Sequence, residues 1–434
     1  MDANLRREDP LSFSDEESFG LFMEGLRALQ LYEDEASKEH PKRWNLERWM
    51  QDALDCLRDC VSQYFVDLLP RFYLGVVLSM RNQEIYVMRL QQVSSACVAA
   101  GQYLAYRDMS HDPELSSQER EFAGERAAEE SEIARPYWDL AHRPWPLLKE
   151  ASDFFQSLLS ASNIRLQRVA AYNLAQIYGR RGPDFLEQGI KVLDAPEAKP
   201  ISKSAHNEAH ATTAKRSNFL NSLNVLLSST PDQQSELRER IEDTALDLQF
   251  DSLRESLNVR VAARDTAYAP NNFKEIYSKF AAMGDRIEMA MSGIDDFAFK
   301  RDLQADFLTK LAYVDYERAL NPALTSPSLT ATDCLDQSAK SFLTALELKQ
   351  HWNPAQIYLA TVRRIQSGVL EARSQHADRQ LLTANSDYRP ILERERNNIH
   401  QLQKQMAREA DELFTNLQGS PIPVAASPNS FGDG

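Results

Sequence analysis

The stretch that decides the fold is Leu147–Leu193, LLKEASDFFQSLLSASNIRLQRVAAYNLAQIYGRRGPDFLEQGIKVL. Ala151, Phe155 and Leu158 recur at helical spacing, which places them on one face of a first helix, and Val169–Tyr178 repeats the pattern in a second. The second helix carries a large residue followed by a small one, Leu174-Ala175. A turn over Gly179–Pro183 leads to a third, short amphipathic segment, Phe185–Leu193. The expected local unit is two antiparallel helices joined by a short connection.

The same signs recur elsewhere in the chain. Large-small pairs stand at Leu74-Gly75 and Leu359-Ala360, each fourteen residues beyond the close of an earlier apolar stripe, at Cys60 and at Ala345. The helices before them carry small, bulky and small residues at four-then-three spacing: Ala53, Leu57 and Cys60, then Ser338, Phe342 and Ala345. Small residues let neighbouring helices approach, and the bulky one fills the groove between them. From Leu158 to Leu174 the spacing stretches to sixteen residues, and Phe273–Ile294, with Ile276, Tyr277 and Gly284, is a weaker copy.

Composition agrees with helices. Glycine, at 14 of 434 residues, is too scarce for the turns of a many-stranded β fold. The expected fold is all-α: antiparallel helical hairpins stacked as an irregular solenoid, with non-repeat helices between them. Residues 1–14 are expected to be disordered, followed by an N-terminal helical domain (15–194) and a polar loop or flexible boundary (195–216) containing Pro196 and Pro200. A C-terminal helical domain (217–418) follows, and then a disordered tail (419–434) rich in Pro, Ser and Gly. Within the first domain, Pro70 restarts the chain, so Pro70–Arg81 reads as one helix and Gln83–Arg107 as the next.

Leu174, Ala175 and Tyr178, with Gly182 ending the arm, and the small-bulky-small triplets resemble the tetratricopeptide repeat (TPR), a unit of two antiparallel helices over about 34 residues. The resemblance implies a concave face lined by the first helices, with residues flanking each large-small pair pointing into it. Those residues are Tyr172, Asn173, Gln176 and Arg180 in one unit, Phe72, Tyr73 and Val76 in another, and Tyr358, Thr361 and Arg364 in a third. Asn173 falls where the resemblance places an asparagine that contacts ligand backbone in peptide-binding members. Val169 stands where an accompanying lysine would be.

The net charge of -15, concentrated in Glu8–Glu39 and Asp112–Glu132, lacks the basic footprint that nucleic-acid binding needs. The most basic helix, Tyr388–Arg408, has its cations interspersed with Glu393 and Glu395. Four cysteines make no disulfide framework, and Cys56 and Cys60 read as small buried hydrophobes. No secretory signal or membrane span is evident, so a cytoplasmic protein is expected.

No nucleophile elbow, phosphate-cradling loop or dinucleotide fingerprint occurs. His206 and His210 stand at i, i+4, but Asn207 occupies the place where a zincin has its general-base Glu, and no third ligand is evident. The expectation is therefore a non-enzymatic scaffold or adaptor, with no cofactor and no metal, that binds a protein or peptide partner and neither nucleic acid nor membrane. A regulatory or sensor subunit of a larger signalling or defence complex is the alternative within that class. A metal-dependent enzyme using His206 and His210 is the alternative from another.

Overall fold

The structure is a computed structural model that describes residues 13–36, 38, 42–64, 66–142, 146–161, 163–181, 183–195, 231–264, 270–292, 297–325, 329–349 and 353–417. Its elements are helices, as the all-α reading expects. The N-terminal half contains α1 (Glu16–Ala36), α2 (Arg43–Gln63), α3 (Leu68–Gln92), α4 (Ser94–Ser110), α5 (Ser117–Ile133), α6 (Arg135–His142), α7 (Pro146–Leu158), α8 (Ile164–Arg181) and α9 (Leu186–Asp194). Then come α10 (Pro231–Ala262), α11 (Pro270–Ala281), α12 (Met283–Ala290), α13 (Phe297–Leu320), α14 (Ala331–Leu348), α15 (Asn353–Thr383) and α16 (Arg389–Leu417).

Local chemistry sets several of these ends. At the start of α5 the Glu119 N–H donates to the Ser116 hydroxyl at 3.2 Å, and the Ser116 N–H donates back to the Glu119 carboxylate at 2.9 Å. Thr330 and Asp333 make the same reciprocal pair before α14, at 3.2 and 2.8 Å. Such boxes satisfy helix N–H groups that have no partner within the helix. They matter most for α5, which buries only Ala123, Ala127 and Glu130.

One expectation is corrected here. The chain does not break between Arg81 and Gln83: Asn82 is helical and buried within α3, and the break falls at Val93, before Ser94-Ser95. A β-branched residue followed by two serines gives helix propagation its weakest local support. Phe13 and Ser14, the last two residues of the segment expected to be disordered, make contacts with the helices that follow. The Phe13 ring lies 5.2 Å from Phe19 and 5.0 Å from Phe22, and Ser14 donates to Asp67 from its N–H (3.1 Å) and hydroxyl (2.6 Å). Residues 1–12, 196–230 and 418–434, which hold the rest of the expected disordered ends and boundary, lie outside the described residues.

The large-small pairs sit in packed cores. Leu74, Leu174, Ala175, Leu359 and Ala360 are all buried, as are both small-bulky-small triplets. Gly75 shows why one partner is small, since a Cβ there would come within 3.0 to 3.2 Å of the Phe155 ring. A first core gathers Phe22, Leu57, Phe72, Phe155 and Leu174 from α1, α2, the first half of α3, α7 and α8. A second gathers Tyr86, Leu90, Ala100 and Leu104 from α3 and α4 with Tyr316, Phe342, Ile357 and Ile365 from α13, α14 and α15.

The second core draws residues both from 15–194 and from 217–418, the two stretches expected as helical domains. Polarity at 195–216 separates two stretches of sequence, while burial joins them. Packed neighbours form a circuit: α3 against α7, α7 against α8, α8 and α9 against α10, α10 against α13, then α14, α15 and back to α4, which continues from α3. The circuit closes where α4 crosses α15, with Gly101 and Gly368 facing each other. A Cβ on Gly101 would lie 1.9 Å from the Ile365 carbonyl oxygen, and one on Gly368 would lie 1.9 Å from that of Val98. Among the described residues no helix is long and apolar enough to cross a membrane.

Candidate functional site

Polar and aromatic side chains converge where α8, α10, α13 and α15 meet. On α8, Tyr172, Gln176 and Arg180 are spaced by four, which places them along one face. Tyr172 is buried, and its hydroxyl takes a hydrogen bond from Lys310 Nζ at 3.1 Å while lying 3.4 Å from Asp306 Oδ2. Lys310 also pairs with Asp306 one turn earlier on α13. Burial opposes the Lys310 charge, but Asp306 and Tyr172 outweigh it and hold the pKa above the ordinary lysine value. Burial likewise pushes Tyr172 up to about 12.

Two turns beyond Lys310 along α13, Arg260 of α10 forks onto Glu317, with Nε at 2.8 Å and Nη2 at 3.0 Å. The same Nη2 donates to the Gly179 carbonyl at 2.9 Å, tying the end of α8 to this pair, and the guanidinium sits 4.7 Å over the Tyr313 ring. Tyr313 in turn packs on Tyr358 of α15 at 4.5 Å, and Tyr316 lies 6.4 Å from Tyr358. Burial raises the pKa values of Tyr86, Tyr313, Tyr316 and Tyr358, so the four stay neutral hydroxyls at physiological pH. Asn82 stands one turn before Tyr86 on α3, and both atoms of its buried amide lack a partner among the described residues.

Of the residues singled out from sequence, Tyr172, Gln176, Arg180 and Tyr358 are brought to this centre. Gln176 hydrogen-bonds the Tyr172 hydroxyl, and Arg180 acts electrostatically on Tyr358. The other groove residues are placed differently. Phe72 and Tyr73 are buried in the first core, edge-on to Phe155 and Phe22 at 5.7 and 5.5 Å, and Val76 is buried beside them. They present no open face because α1 and α7 cover that side of α3.

Asn173 donates from Nδ2 to the Val169 carbonyl of its own helix at 2.9 Å, so its amide is turned back rather than outward. Buried Thr361 does the same toward Ile357 at 2.9 Å, and Arg364 pairs with Asp411 of α16. Of these residues, Tyr172, Gln176, Arg180 and Tyr358 meet at one centre, while Phe72, Tyr73, Val76, Asn173, Thr361 and Arg364 lie apart from it. Sequence reading missed Arg260, Arg264, Tyr313 and Glu317. The available signal was the i, i+4 pairs Arg260/Arg264 and Tyr313/Glu317, which look like any solvated helix face until a partner helix is placed.

His206 and His210 lie outside the described residues, and among the described residues no group of His, Cys, Asp and Glu could hold a metal ion. Cys60, Cys97 and Cys334 are buried and Cys56 is half-buried, and burial pushes the Cys97 thiol up to about 12. Such thiols behave as hydrophobes rather than nucleophiles.

Next to the centre, Asp315 accepts a hydrogen bond from the Tyr277 hydroxyl at 2.8 Å, yet burial raises its pKa from 3.8 to about 6. A carboxyl whose folded pKa exceeds its unfolded one destabilises the fold when ionised. Stability is therefore expected to fall as pH rises from about 4 to about 6 and then to level off, by about 3 kcal/mol for this group. Asp315→Asn keeps an acceptor for Tyr277 and removes that slope. Urea unfolding at pH 4.5 and pH 7 measures it, and a variant-minus-wild-type difference that is equal at both pH values would contradict the assignment.

Comparison with known proteins gives no match: no family model, no curated protein and no solved structure aligns with this chain.

Proposed function

We propose that the chain is a non-enzymatic, TPR-like interaction scaffold or adaptor that binds a peptide or partner domain, acting in the cytoplasm with neither nucleic acid nor membrane as its ligand. The observation that supports this reading most is the α8 face. Tyr172 and Gln176 are anchored in a hydrogen-bonded network, while Arg180, the next residue along, is half-buried and has no ion-pair partner among the described residues. A rigid polar floor with a cation at its edge is the arrangement that orients a ligand.

The test is affinity capture from native extract with wild type and with Arg180→Glu, after urea unfolding has shown the two to be equally stable. Arg180→Glu is expected to lose partners that wild type retains. The same partner set on both would remove Arg180 and this face from the binding surface.

A further inference from the structure

The turn between α15 and α16 holds large apolar side chains in solvent. Leu382, Tyr388 and Ile391 are 85%, 63% and 62% exposed and stand within ten residues of one another. Single apolar residues scattered over a surface are ordinary, whereas three at one tip form a patch. The backbone beneath them is fixed. The Asn385 amide oxygen accepts from the N–H groups of Asp387 at 3.2 Å and Tyr388 at 3.1 Å, and the Asn385 carbonyl accepts from the Arg389 N–H at 3.1 Å. Ile391 and Leu392 each donate to the Tyr388 carbonyl at 3.1 Å, which closes the first turn of α16. A patch on an ordered turn loses little freedom when it docks.

Charge says what can dock there. The stretch Tyr388–Arg408 holds Arg389, Arg394, Arg396, Lys404 and Arg408 against Glu393 and Glu395. Arg389 and Arg394 are exposed beside Tyr388 and Ile391, and Arg389 holds Glu393 only at 3.7 Å, an exposed contact of little strength. The start of α5 lies alongside this tip. The Arg379 guanidinium sits 3.3 Å over the Phe122 ring, and Gln380 hydrogen-bonds the Glu119 carboxylate. Leu382 follows Arg379 by about one helical turn, and the exposed Glu121 and Glu125, themselves one turn apart, flank Phe122. One patch therefore carries apolar groups, cations and anions side by side.

We propose that this patch is a homodimer interface, in which the α15–α16 tip of one copy rests on α5 of the other and Arg389 and Arg394 meet Glu121 and Glu125. A two-fold contact uses the same surface on both copies, so that surface has to complement itself. Elsewhere two chains of net charge -15 repel, and the cations at the tip select the approach. An acidic partner would satisfy the tip alone, and a basic partner would satisfy α5 alone. A second copy turned through half a circle satisfies both signs at once.

Sedimentation velocity of the full-length protein, from about 1 μM to about 100 μM, tests the contact. The average mass is expected to rise with concentration from that of one chain toward that of two. Tyr388→Ser/Ile391→Ser removes only exposed apolar surface, leaves the fold in place, and is expected to weaken the dimer about tenfold or more. Arg389→Glu/Arg394→Glu and Glu121→Arg/Glu125→Arg are each expected to dissociate it. An equimolar mixture of these two variants is expected to dimerise again, because each tip in the mixed dimer meets an α5 of opposite sign. A monomer at every concentration would leave the tip to a different protein and overturn the proposal. So would a dimer that Tyr388→Ser/Ile391→Ser leaves as tight as wild type, or charge-reversed variants that stay apart when mixed.

Discussion

Gly368→Ala is expected to destabilise the protein by about 3 kcal/mol or more, a large share of the about 5–15 kcal/mol that holds a typical domain together. The added methyl would lie 1.9 Å from the Val98 carbonyl oxygen, and the obstacle is backbone that no rotamer change can move. Relief requires α4 and α15 to separate along the crossing, which loosens the packing of Ala100, Leu104, Ile365 and Val369 around it. Gly101→Ala meets the Ile365 carbonyl in the same way. Gly20 in α1 and Gly124 in α5 supply controls: a Cβ at either meets nothing within 4 Å, so alanine there is expected to stabilise by about 0.5–1 kcal/mol. Urea midpoints for the four variants decide the matter, and a Gly368→Ala midpoint level with wild type would show that the crossing is looser than described.

The second large effect is expected at Arg168. The residue is 0% exposed, and its side chain pairs with Asp247 across α8 and α10 and lies 4.8 Å over the Phe250 ring. Asp247→Ala leaves that guanidinium enclosed without its carboxylate, a change that costs about 3–5 kcal/mol for buried pairs. Exchanging both partners for apolar residues of similar size, Arg168→Met/Asp247→Leu, removes both charges from the interior and is expected to recover most of the loss. Recovery distinguishes an electrostatic cause from lost packing. A double variant as unstable as Asp247→Ala would place the effect in shape rather than charge.

The sequence shows clearly what repeats locally. Leu174-Ala175, Leu359-Ala360 and the two small-bulky-small triplets all lie in cores, because helical periodicity and residue size suffice to mark a buried stripe. Closure of the circuit was hidden, since Gly101 and Gly368 are matched by no local pattern and each reads alone as an ordinary helix interruption. Nor does the polar stretch 195–216 say which helices before it pack on which helices after it, as α4 does on α15. At the candidate site, the face of α8 could be read, and its direction could not. Whether Tyr172 lines a groove or faces Lys310 depends on α13, more than a hundred residues away. Phe72 and Tyr73 share that ambiguity, because a large aromatic next to a large-small pair suits a core as well as a concave surface.

The crossing of α4 and α15 also governs the order of events when the chain is made. Its two glycines lie about 265 residues apart, so at translation rates of about 5–20 residues per second, α4 leaves the ribosome on the order of ten to fifty seconds before its partner. During that interval the alanine-rich face around Ala96, Ala99 and Ala100, with Leu90 and Leu104 beside it, has no surface to cover it. Docking of such distant segments is slow because the loop between them must be closed first. The feature that seals the finished protein is therefore the one that leaves the nascent chain longest exposed to aggregation and to proteases.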